Sequence, residues 1–179
     1  MKSILIALAA AATVATPAFA ALKAGDKAPD FTAPGFQAGK ALTFSLADAR
    51  KKGPVVLYFF PAADTAGCNL EAKMFADAMP QFAANGATVI GVTAGKLDKL
   101  QQISADADKC SGKFPVAADP GAKIARQYDA VLAARPDWSD RTSYVISPKG
   151  DVLHTYSKLD PSEHVAQTLG AVKAFKTKR

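Results

Sequence analysis

The chain of 179 residues contains little of what metal or nucleotide chemistry requires. It has only two histidines and two cysteines. Neither His154 nor His164 has cysteine or carboxylate neighbours at the spacing of metal ligands, so we expect structural or surface roles for both and no metal site. The sequence also lacks a phosphate-binding loop, a dinucleotide-binding fingerprint and a Ser/His/Asp pattern. These absences favour an activity that uses no bound cofactor.

A long apolar run is missing once the first twenty residues are passed. Within them, Lys2 supplies a positive charge, Ile4–Val14 is apolar, and Ala18–Ala20 offers the small side chains of a cleavage site. We therefore expect residues 1–20 to be a signal peptide whose removal leaves a chain that begins at Ala21. An uncleaved N-terminal anchor is the alternative. The apolar run is shorter than the about 20 residues of a transmembrane helix, so we expect no membrane attachment after cleavage.

Residues 21–179 are enough for one domain with a continuous core and too few for two. Two cysteines suit one disulfide in an oxidising compartment, and with the signal they predict export to the periplasm of a Gram-negative cell. The chain has 22 basic and 16 acidic side chains, a net charge of +6. Part of this excess lies in a terminal cluster from Lys173 to Arg179, which we interpret as a solvated tail. We expect no nucleic-acid partner, since a basic stripe with interleaved aromatics is missing.

The first cysteine, Cys68, lies where an apolar strand ends and a helix begins. Val55–Phe60 is a run of β-favouring residues, and Pro61 and Gly67 interrupt the chain after it. The spacing of apolar residues then predicts a helix over Glu71–Phe82 that ends near the pair Asn85-Gly86. Cys68 is expected in or just before the first helical turn, where unpaired N–H groups and the helix dipole stabilise an anion. This position favours the thiolate, the nucleophilic form of cysteine; a buried unreactive cysteine is the alternative.

The spacing Pro61-x-x-x-Thr65-x-x-Cys68 resembles the active-site signature of the peroxiredoxins, which are thiol peroxidases built on the thioredoxin fold. The longer string from Pro61 to Ala72 is similar to the peroxiredoxin Q, or bacterioferritin-comigratory, branch, which carries Asp-Thr-x-Gly-Cys followed by Glu-Ala. The resemblance implies that Cys68 is the peroxidatic cysteine and that the Thr65 hydroxyl hydrogen-bonds the thiolate and the peroxide. It also implies that Pro61 shields the thiolate from bulk water.

The resemblance covers nearly all of residues 21–179 and implies a thioredoxin-like α/β/α sandwich, three layers with a central mixed sheet. Strands at Val55–Phe60 and Ala87–Thr93 on either side of the first helix predict a right-handed parallel crossover. Apolar patterns predict further elements along the chain. The strands are Ala41–Leu46, a short one after Phe114, Arg141–Ile146 and Val152–Tyr156; the helices are Lys96–Lys109, Ala122–Leu132 and one that starts at Pro161.

Two charged residues complete the site that the resemblance implies. Arg141 is similar to the family's Arg-x-x-Phe position, with Tyr144 in place of phenylalanine, and its guanidinium would hold thiolate and peroxide together. The alternative is a surface arginine, in which case Arg126 and Arg135 are rival cations. Glu71 resembles the glutamate that orients this arginine. Its alternative is an ordinary glutamate near a helix start, favoured by the dipole.

The role of the second cysteine, Cys110, has three alternatives. Members of the peroxiredoxin Q branch often carry a second cysteine five residues after the first, where this chain has Lys73. Other relatives have a resolving cysteine in the helix after the second strand, the region of Cys110. Cys110 is then a resolving cysteine, a second thiol in a one-cysteine enzyme, or half of a permanent structural disulfide with Cys68, which would disable the nucleophile.

The resemblance and the two cysteines together imply a thiol-dependent peroxidase for hydrogen peroxide, with organic hydroperoxides as a further substrate class. Cys68 would become a sulfenic acid and condense with Cys110, and an external dithiol of the thioredoxin type would reduce the disulfide. The protein is expected as a monomer or homodimer. A periplasmic thiol–disulfide oxidoreductase is one alternative, although its Cys-x-x-Cys motif is absent. A non-catalytic redox-sensing or binding module on the same fold is another.

Overall fold

The computed structural model describes residues 21–95 and 97–177, so the expected signal peptide, residues 1–20, lies outside the described residues. Nine strands and five α-helices make up the described chain. The strands are β1 (Thr32–Gln37), β2 (Lys40–Ser45), β3 (Val55–Phe59), β4 (Thr88–Thr93), β5 (Val116–Ala118), β6 (Val131–Leu132), β7 (Arg135–Ser139), β8 (Thr142–Ile146) and β9 (Val152–Ser157). The helices are α1 (Leu46–Arg50), α2 (Ala66–Ala84), α3 (Leu100–Ala105), α4 (Lys123–Gln127) and α5 (His164–Thr177).

Seven of these strands form one mixed sheet in the order β2-β1-β5-β4-β3-β8-β9, and β6 pairs with β7 in a separate hairpin. The central strand β3 is buried along its whole length, which a continuous apolar run predicts. It pairs parallel to β4, with Val55 opposite Thr88, and antiparallel to β8, with Val55 opposite Ile146. The expected crossover β3-α2-β4 and the mixed sheet are therefore confirmed.

Helices cover both faces of this sheet, because alternate side chains of β3 point in opposite directions. Leu57 and Phe59 belong to a buried cluster that includes Ile124 of α4. Val56 and Tyr58 belong to a second cluster, made with apolar side chains of α2, α3 and α5. Two cores separated by one sheet give the three layers expected from the sequence.

Helix α2 begins earlier than predicted and ends where predicted. It starts at Ala66, so Cys68 lies inside its first turn. At its C-terminus the N–H of Gly86 donates to the Ala83 carbonyl and that of Ala87 to the Phe82 carbonyl. Gly86 has a φ of +71°, the left-handed conformation that stops a helix at low cost in glycine. The Asn-Gly pair after the helix had indicated this end.

The helix predicted over Ala122–Leu132 is wrong beyond Gln127. The carboxylate of Asp119 accepts hydrogen bonds from the N–H groups at the start of α4 and fixes where the helix begins. Asp129 then adopts a positive φ of 50°, and the N–H of Ala130 turns back to the Ala125 carbonyl. Val131 and Leu132 are thus free to form β6.

The helix predicted over Lys96–Lys109 is shorter than expected. A 3₁₀ turn covers Leu97–Lys99 and α3 ends at Ala105. Asp106 is extended, with ψ of 125°, and its carboxylate accepts from the N–H of Asp108, a local bond that competes with helix continuation. Cys110 therefore lies in a turn. The last helix likewise begins at His164, three residues after Pro161.

The N-terminal segment, residues 22–28, is bonded to β9 and to the turn before it. The Leu22 carbonyl accepts from the Thr155 hydroxyl at 2.5 Å. Gly25 donates to the Val152 carbonyl and Ala28 to the Gly150 carbonyl, both at 2.9 Å. The N-terminal segment is thus attached at the β9 edge of the sheet. Within residues 21–95 and 97–177, no helix is long and apolar enough to cross a membrane.

Candidate active site

Cys68 lies in the first turn of α2 and is 5% exposed. Thr65 caps the helix with extended backbone, and its carbonyl accepts from the N–H of Asn69 at 2.8 Å. The amides of the first turn have no acceptor within the helix, and the helix dipole adds positive potential at this end. The sequence prediction of a cysteine at a helix start is confirmed, and this end of α2 offers donors to an anion.

Arg141, directly before β8, is the arginine that reaches the thiol. Its Nη2 lies 3.4 Å from the Cys68 sulfur, and its Nε donates to the Leu159 carbonyl at 2.7 Å. Its Nη1 is paired with the Glu71 carboxyl group. The guanidinium is 5% exposed and held from three sides. Gly67 leaves room for it, since a Cβ atom there would lie 3.3 Å from Nη2.

The two rival arginines lie elsewhere. Arg126 donates to the backbone carbonyls of Gly121 and Pro136, and Arg135 stacks 3.7 Å above the ring of Trp138. Arg126 thus links α4 to β7, whereas the contact of Arg135 lies within β7. Of the three arginines that the sequence offered, the structure brings only Arg141 to Cys68.

Glu71 is fully buried, unlike an ordinary glutamate near a helix start. Its Oε2 accepts a hydrogen bond from Nη1 of Arg141, whereas its Oε1 has no hydrogen-bond partner. Burial raises the pKa of the Glu71 carboxyl to about 8, and Arg141 opposes this rise. The contact with Arg141 has the geometry that the resemblance implied for an orienting glutamate.

The loop from Pro61 to Thr65 forms the rim of the site. It is attached to the end of β4, where the N–H of Ala63 donates to the Gly95 carbonyl at 3.3 Å. The Pro61 carbonyl packs so closely on Gly95 that a side chain there would overlap it. The Thr65 hydroxyl donates to the Ala62 carbonyl at 3.3 Å. Its observed partner is thus the loop backbone rather than the thiolate expected from the resemblance.

Cys110 is fully buried, in the apolar cluster that also contains Cys68. Both cysteines are free thiols in this structure. Burial, with a smaller contribution from Asp106, raises the pKa of the Cys110 thiol to about 12. The neighbouring Lys109 forms ion pairs with Asp64 of the rim loop at 3.0 Å and with Asp106 at 3.1 Å. Cys110 is therefore a protonated thiol. The ion pair of the neighbouring Lys109 with Asp64 connects the turn that contains Cys110 to the rim loop of the site.

His164 is the residue of this region that the sequence analysis did not assign to the site. Its ring is fully buried, with Nδ1 2.8 Å from the Ser143 hydroxyl and Nε2 2.9 Å from the Lys158 carbonyl. Nδ1 also lies 3.6 Å from Oε1 of Glu71. The contact joins α5 to α2, far apart in sequence, so no motif spacing could have indicated it. Among the described residues, no group of three or more His, Cys, Asp or Glu side chains could hold a metal ion.

Comparisons with known proteins agree with this geometry. Residues 24–155 match the model of the AhpC/TSA family. The chain is 30% identical over 172 residues to the chloroplastic peroxiredoxin Q of Populus jackii, covering 95% of this chain and 77% of that protein. It is 30% identical over 160 residues to the chloroplastic peroxiredoxin Q of Sedum lineare, covering 88% and 82%.

A solved structure extends the similarity to the fold. The crystal structure of the peroxidoxin BcpB from Mycobacterium tuberculosis superposes with a TM-score of 0.73 at 28% identity, covering 86% of this chain and 97% of that one. Sequence and fold thus point to the same group of thiol enzymes. The chain belongs to the AhpC/TSA family and is a thiol-dependent peroxidase of the peroxiredoxin type.

Proposed function

We propose that Cys68 is the residue that attacks the peroxide. The observation that carries this proposal is the position of its sulfur, in the first turn of α2 and 3.4 Å from the Arg141 guanidinium. The thiolate attacks one peroxide oxygen and the O–O bond breaks. The other oxygen departs as hydroxide or alkoxide and takes up a proton, giving water or an alcohol. The sulfur, oxidised by two electrons, is left as a sulfenic acid.

Arg141 stabilises this reaction because negative charge develops on the departing oxygen. A guanidinium fixed by Glu71 and the Leu159 carbonyl keeps its charge throughout and needs no reorganisation. The Thr65 hydroxyl, half-buried at the helix start, turns from the Ala62 carbonyl to the bound peroxide. Pro61 limits the access of water to the sulfur.

Cys110 is the resolving cysteine in this proposal. Its thiol condenses with the Cys68 sulfenic acid, a disulfide forms and water leaves. Two features support the pairing: these are the two cysteines of the chain, and both lie in the same apolar layer. Because both are buried, the first turn of α2 and residues 106–112 must open locally before the sulfurs meet. An external dithiol of the thioredoxin type then reduces the disulfide and restores both thiols.

The substrates are hydrogen peroxide and organic hydroperoxides. An exposed apolar side chain supports the second substrate class: Leu159 is 61% exposed, and its carbonyl binds Arg141. An alkyl group of the peroxide could shield this side chain from water.

We further propose that the protein is exported to the periplasm as a chain beginning at Ala21 and acts as a monomer or homodimer. The charge and apolar pattern of residues 1–20 and the small side chains at Ala18 and Ala20 support cleavage at this position. N-terminal sequencing of protein from the periplasm should begin at Ala21. A chain that retains Met1 to Phe19 would contradict the cleavage.

The role of Cys68 is tested with Cys68→Ser, measured by peroxide consumption with a dithiol reductant. We expect activity to be abolished with the circular dichroism spectrum unchanged, since a serine hydroxyl is not ionised at neutral pH. Activity within tenfold of the wild type would show that the nucleophile lies elsewhere. Cys110→Ser is the matched control, because it should still consume the first equivalent of peroxide.

The disulfide is tested by peptide mapping without reductant after one equivalent of peroxide. The wild type should give an intramolecular Cys68–Cys110 disulfide, and Cys110→Ser should stop at a Cys68 sulfenic acid. A dimer linked through two Cys68 residues, or a Cys68 sulfinic acid with Cys110 still free, would leave a one-cysteine enzyme instead.

A further inference from the structure

A chain of buried polar groups leads from the thiol into the core, through Cys68, Arg141, Glu71 and His164. Both Glu71 and His164 are fully buried. Oε2 of Glu71 is paired with Arg141, whereas Oε1 has no hydrogen-bond partner and lies 3.6 Å from Nδ1 of His164. Buried polar atoms without partners are rare in folded proteins, because they forfeit hydration without compensation. This one points at an imidazole nitrogen.

The partners of His164 determine which of its nitrogens carries a proton. Nε2 lies 2.9 Å from the Lys158 carbonyl, which can only accept, so Nε2 is protonated. In the neutral ring Nδ1 is then an acceptor, 2.8 Å from the Ser143 hydroxyl. If Glu71 were ionised, Oε1 and Nδ1 would be two acceptors facing each other. A proton on Oε1 removes that repulsion.

The charge balance of the cluster also favours a proton on Glu71. Arg141 contacts two groups that can become anions, the Cys68 thiol and the Glu71 carboxyl. With both ionised, the buried site would hold one cation and two anions. An uncompensated buried charge is costly. With a proton on Glu71, the Arg141 cation and the Cys68 thiolate balance each other.

We propose that His164 is a positioning residue that keeps a proton on Glu71, so that the charge of Arg141 is available to the Cys68 thiolate. The proposal rests on the proposed role of Cys68 and deepens it. It assigns control of the thiol to a histidine that touches neither the sulfur nor the peroxide.

Burial shifts the two members of the pair in opposite directions. It raises the pKa of Glu71 to about 8, against the opposing effect of Arg141. It lowers the pKa of His164, against the opposing hydrogen bond to the Lys158 carbonyl. Burial therefore favours a proton on the carboxyl group and a neutral imidazole.

Other titratable groups face this pair from the neighbouring elements. Asp140, before β8, and Asp160, before α5, raise the proton affinity of His164, and Arg141 lowers it. Tyr58 of β3 faces Glu71 from the sheet, and its hydroxyl stays neutral because burial raises its pKa well above the ordinary range. Among these groups Arg141 is the cation, so the proton on Glu71 decides which anion it neutralises.

The test follows ionisation of Cys68 through its rate of alkylation by iodoacetamide against pH, in residues 21–179 carrying Cys110→Ser. This readout needs no peroxide. It therefore tests the role of His164 even if Cys68 proves not to be the residue that attacks the peroxide. The ring of Tyr156 packs edge-on against that of His164, with 4.8 Å between the ring centroids. His164→Phe keeps an aromatic ring at this place but removes Nδ1. The Nδ1 lone pair then no longer faces Oε1, so Glu71 ionises more readily, and the midpoint for Cys68 should rise by about one pH unit.

The decisive control repeats His164→Phe in a Glu71→Gln background, where residue 71 cannot ionise. There the midpoint should not move. An equal shift in both backgrounds would overturn the proposal, because it would show a merely structural effect of the histidine. His164→Asn, which offers an amide oxygen near the position of Nδ1, should shift the midpoint less than His164→Phe; an equal or larger shift would also count against the proposal.

A direct measurement covers the case in which the histidine variants do not fold. The infrared spectrum of the wild type at pH 7 should contain the carbonyl stretch of a protonated carboxyl group that is missing from Glu71→Gln. A spectrum without that band would place a carboxylate at Glu71 and overturn the proposal.

Discussion

Arg141 uses all three of its guanidinium nitrogens, and each has a different partner: the Cys68 sulfur, the Glu71 carboxyl group and the Leu159 carbonyl. We expect Arg141→Ala to lower the second-order rate constant with hydrogen peroxide by roughly 10², the loss typical of one fixed donor at a developing charge. Stopped-flow kinetics measure this constant. Arg126→Ala, an arginine distant from the thiol, is the control and should keep the wild-type rate. An unchanged rate in Arg141→Ala would assign the role to another cation.

The burial of Glu71 leads to a prediction about how the free energy of unfolding depends on pH. Because burial raises its pKa to about 8 from an ordinary value of 4.5, the folded state favours the protonated form. The stabilisation is complete below pH 4.5 and is lost as the pH rises through about 8. Glu71→Gln cannot ionise, so its free energy of unfolding relative to the wild type should increase over this interval by up to a few kcal/mol. Urea unfolding at several pH values measures the difference. A constant difference across the interval would contradict the raised pKa.

Sequence alone reached the residues of the site that belong to a motif or to a position relative to a strand. Cys68 was evident from the strand, breaker and helix pattern, and Arg141 from its resemblance to the family's Arg-x-x-Phe position. His164 was not reached, because its contact with Glu71 depends on how α5 packs against α2. The direction of the Thr65 hydroxyl was also beyond the sequence, since a hydroxyl rotates to whichever acceptor the loop backbone offers.

The turn that contains Cys110 is joined to the rim loop by the ion pair between Lys109 and Asp64. This pair joins the turn that must open before a disulfide forms to the loop that leads into α2. We expect Lys109→Met to increase the rate of disulfide formation after peroxide a few-fold, because opening the turn no longer breaks the pair. Rapid quenching with an alkylating reagent, followed by mass spectrometry, measures this rate.

The matched control for this prediction is Lys73→Met. It removes an exposed pair with Asp77 on the outer side of α2, a contact of the kind that contributes little to stability. The control should leave the rate unchanged. Equal rates in Lys109→Met and the wild type would mean that the ion pair does not restrain the turn.

The elements were predictable where apolar runs are long and their ends carry strong signals. The buried strand β3 and the Asn-Gly end of α2 are examples. Predictions failed where single residues leave the helical conformation for local reasons. Asp129 adopts a positive φ and starts a hairpin, and Asp106 bonds to the backbone two residues ahead. Aspartate can continue a helix or adopt one of these local conformations, and the surrounding tertiary structure determines which of them forms.

The contacts of residues 22–28 lead to a prediction about truncation of the domain. Leu22 packs against the core and its carbonyl binds Thr155. A chain that begins at Ala24 should have a free energy of unfolding lower by about 1 kcal/mol or more than a chain that begins at Ala21, since the Thr155 hydroxyl loses its acceptor. Thermal unfolding of the two truncated chains measures the difference. Equal stability would mean that residues 21–23 contribute nothing to the fold.

The attachment of residues 22–28 to the strand that ends at Ser157 also determines when the domain can fold. A ribosome or an export channel delivers the chain from its N-terminus, so the first folded segment waits for its partner until nearly all residues have emerged. The central strand waits similarly, since Val55 pairs with Ile146. Folds built from such distant pairs form slowly, and exposed apolar strands aggregate during the delay. If the chain is exported as proposed, the same delay keeps it unfolded for passage through the channel and leaves completion of the sheet to the far side.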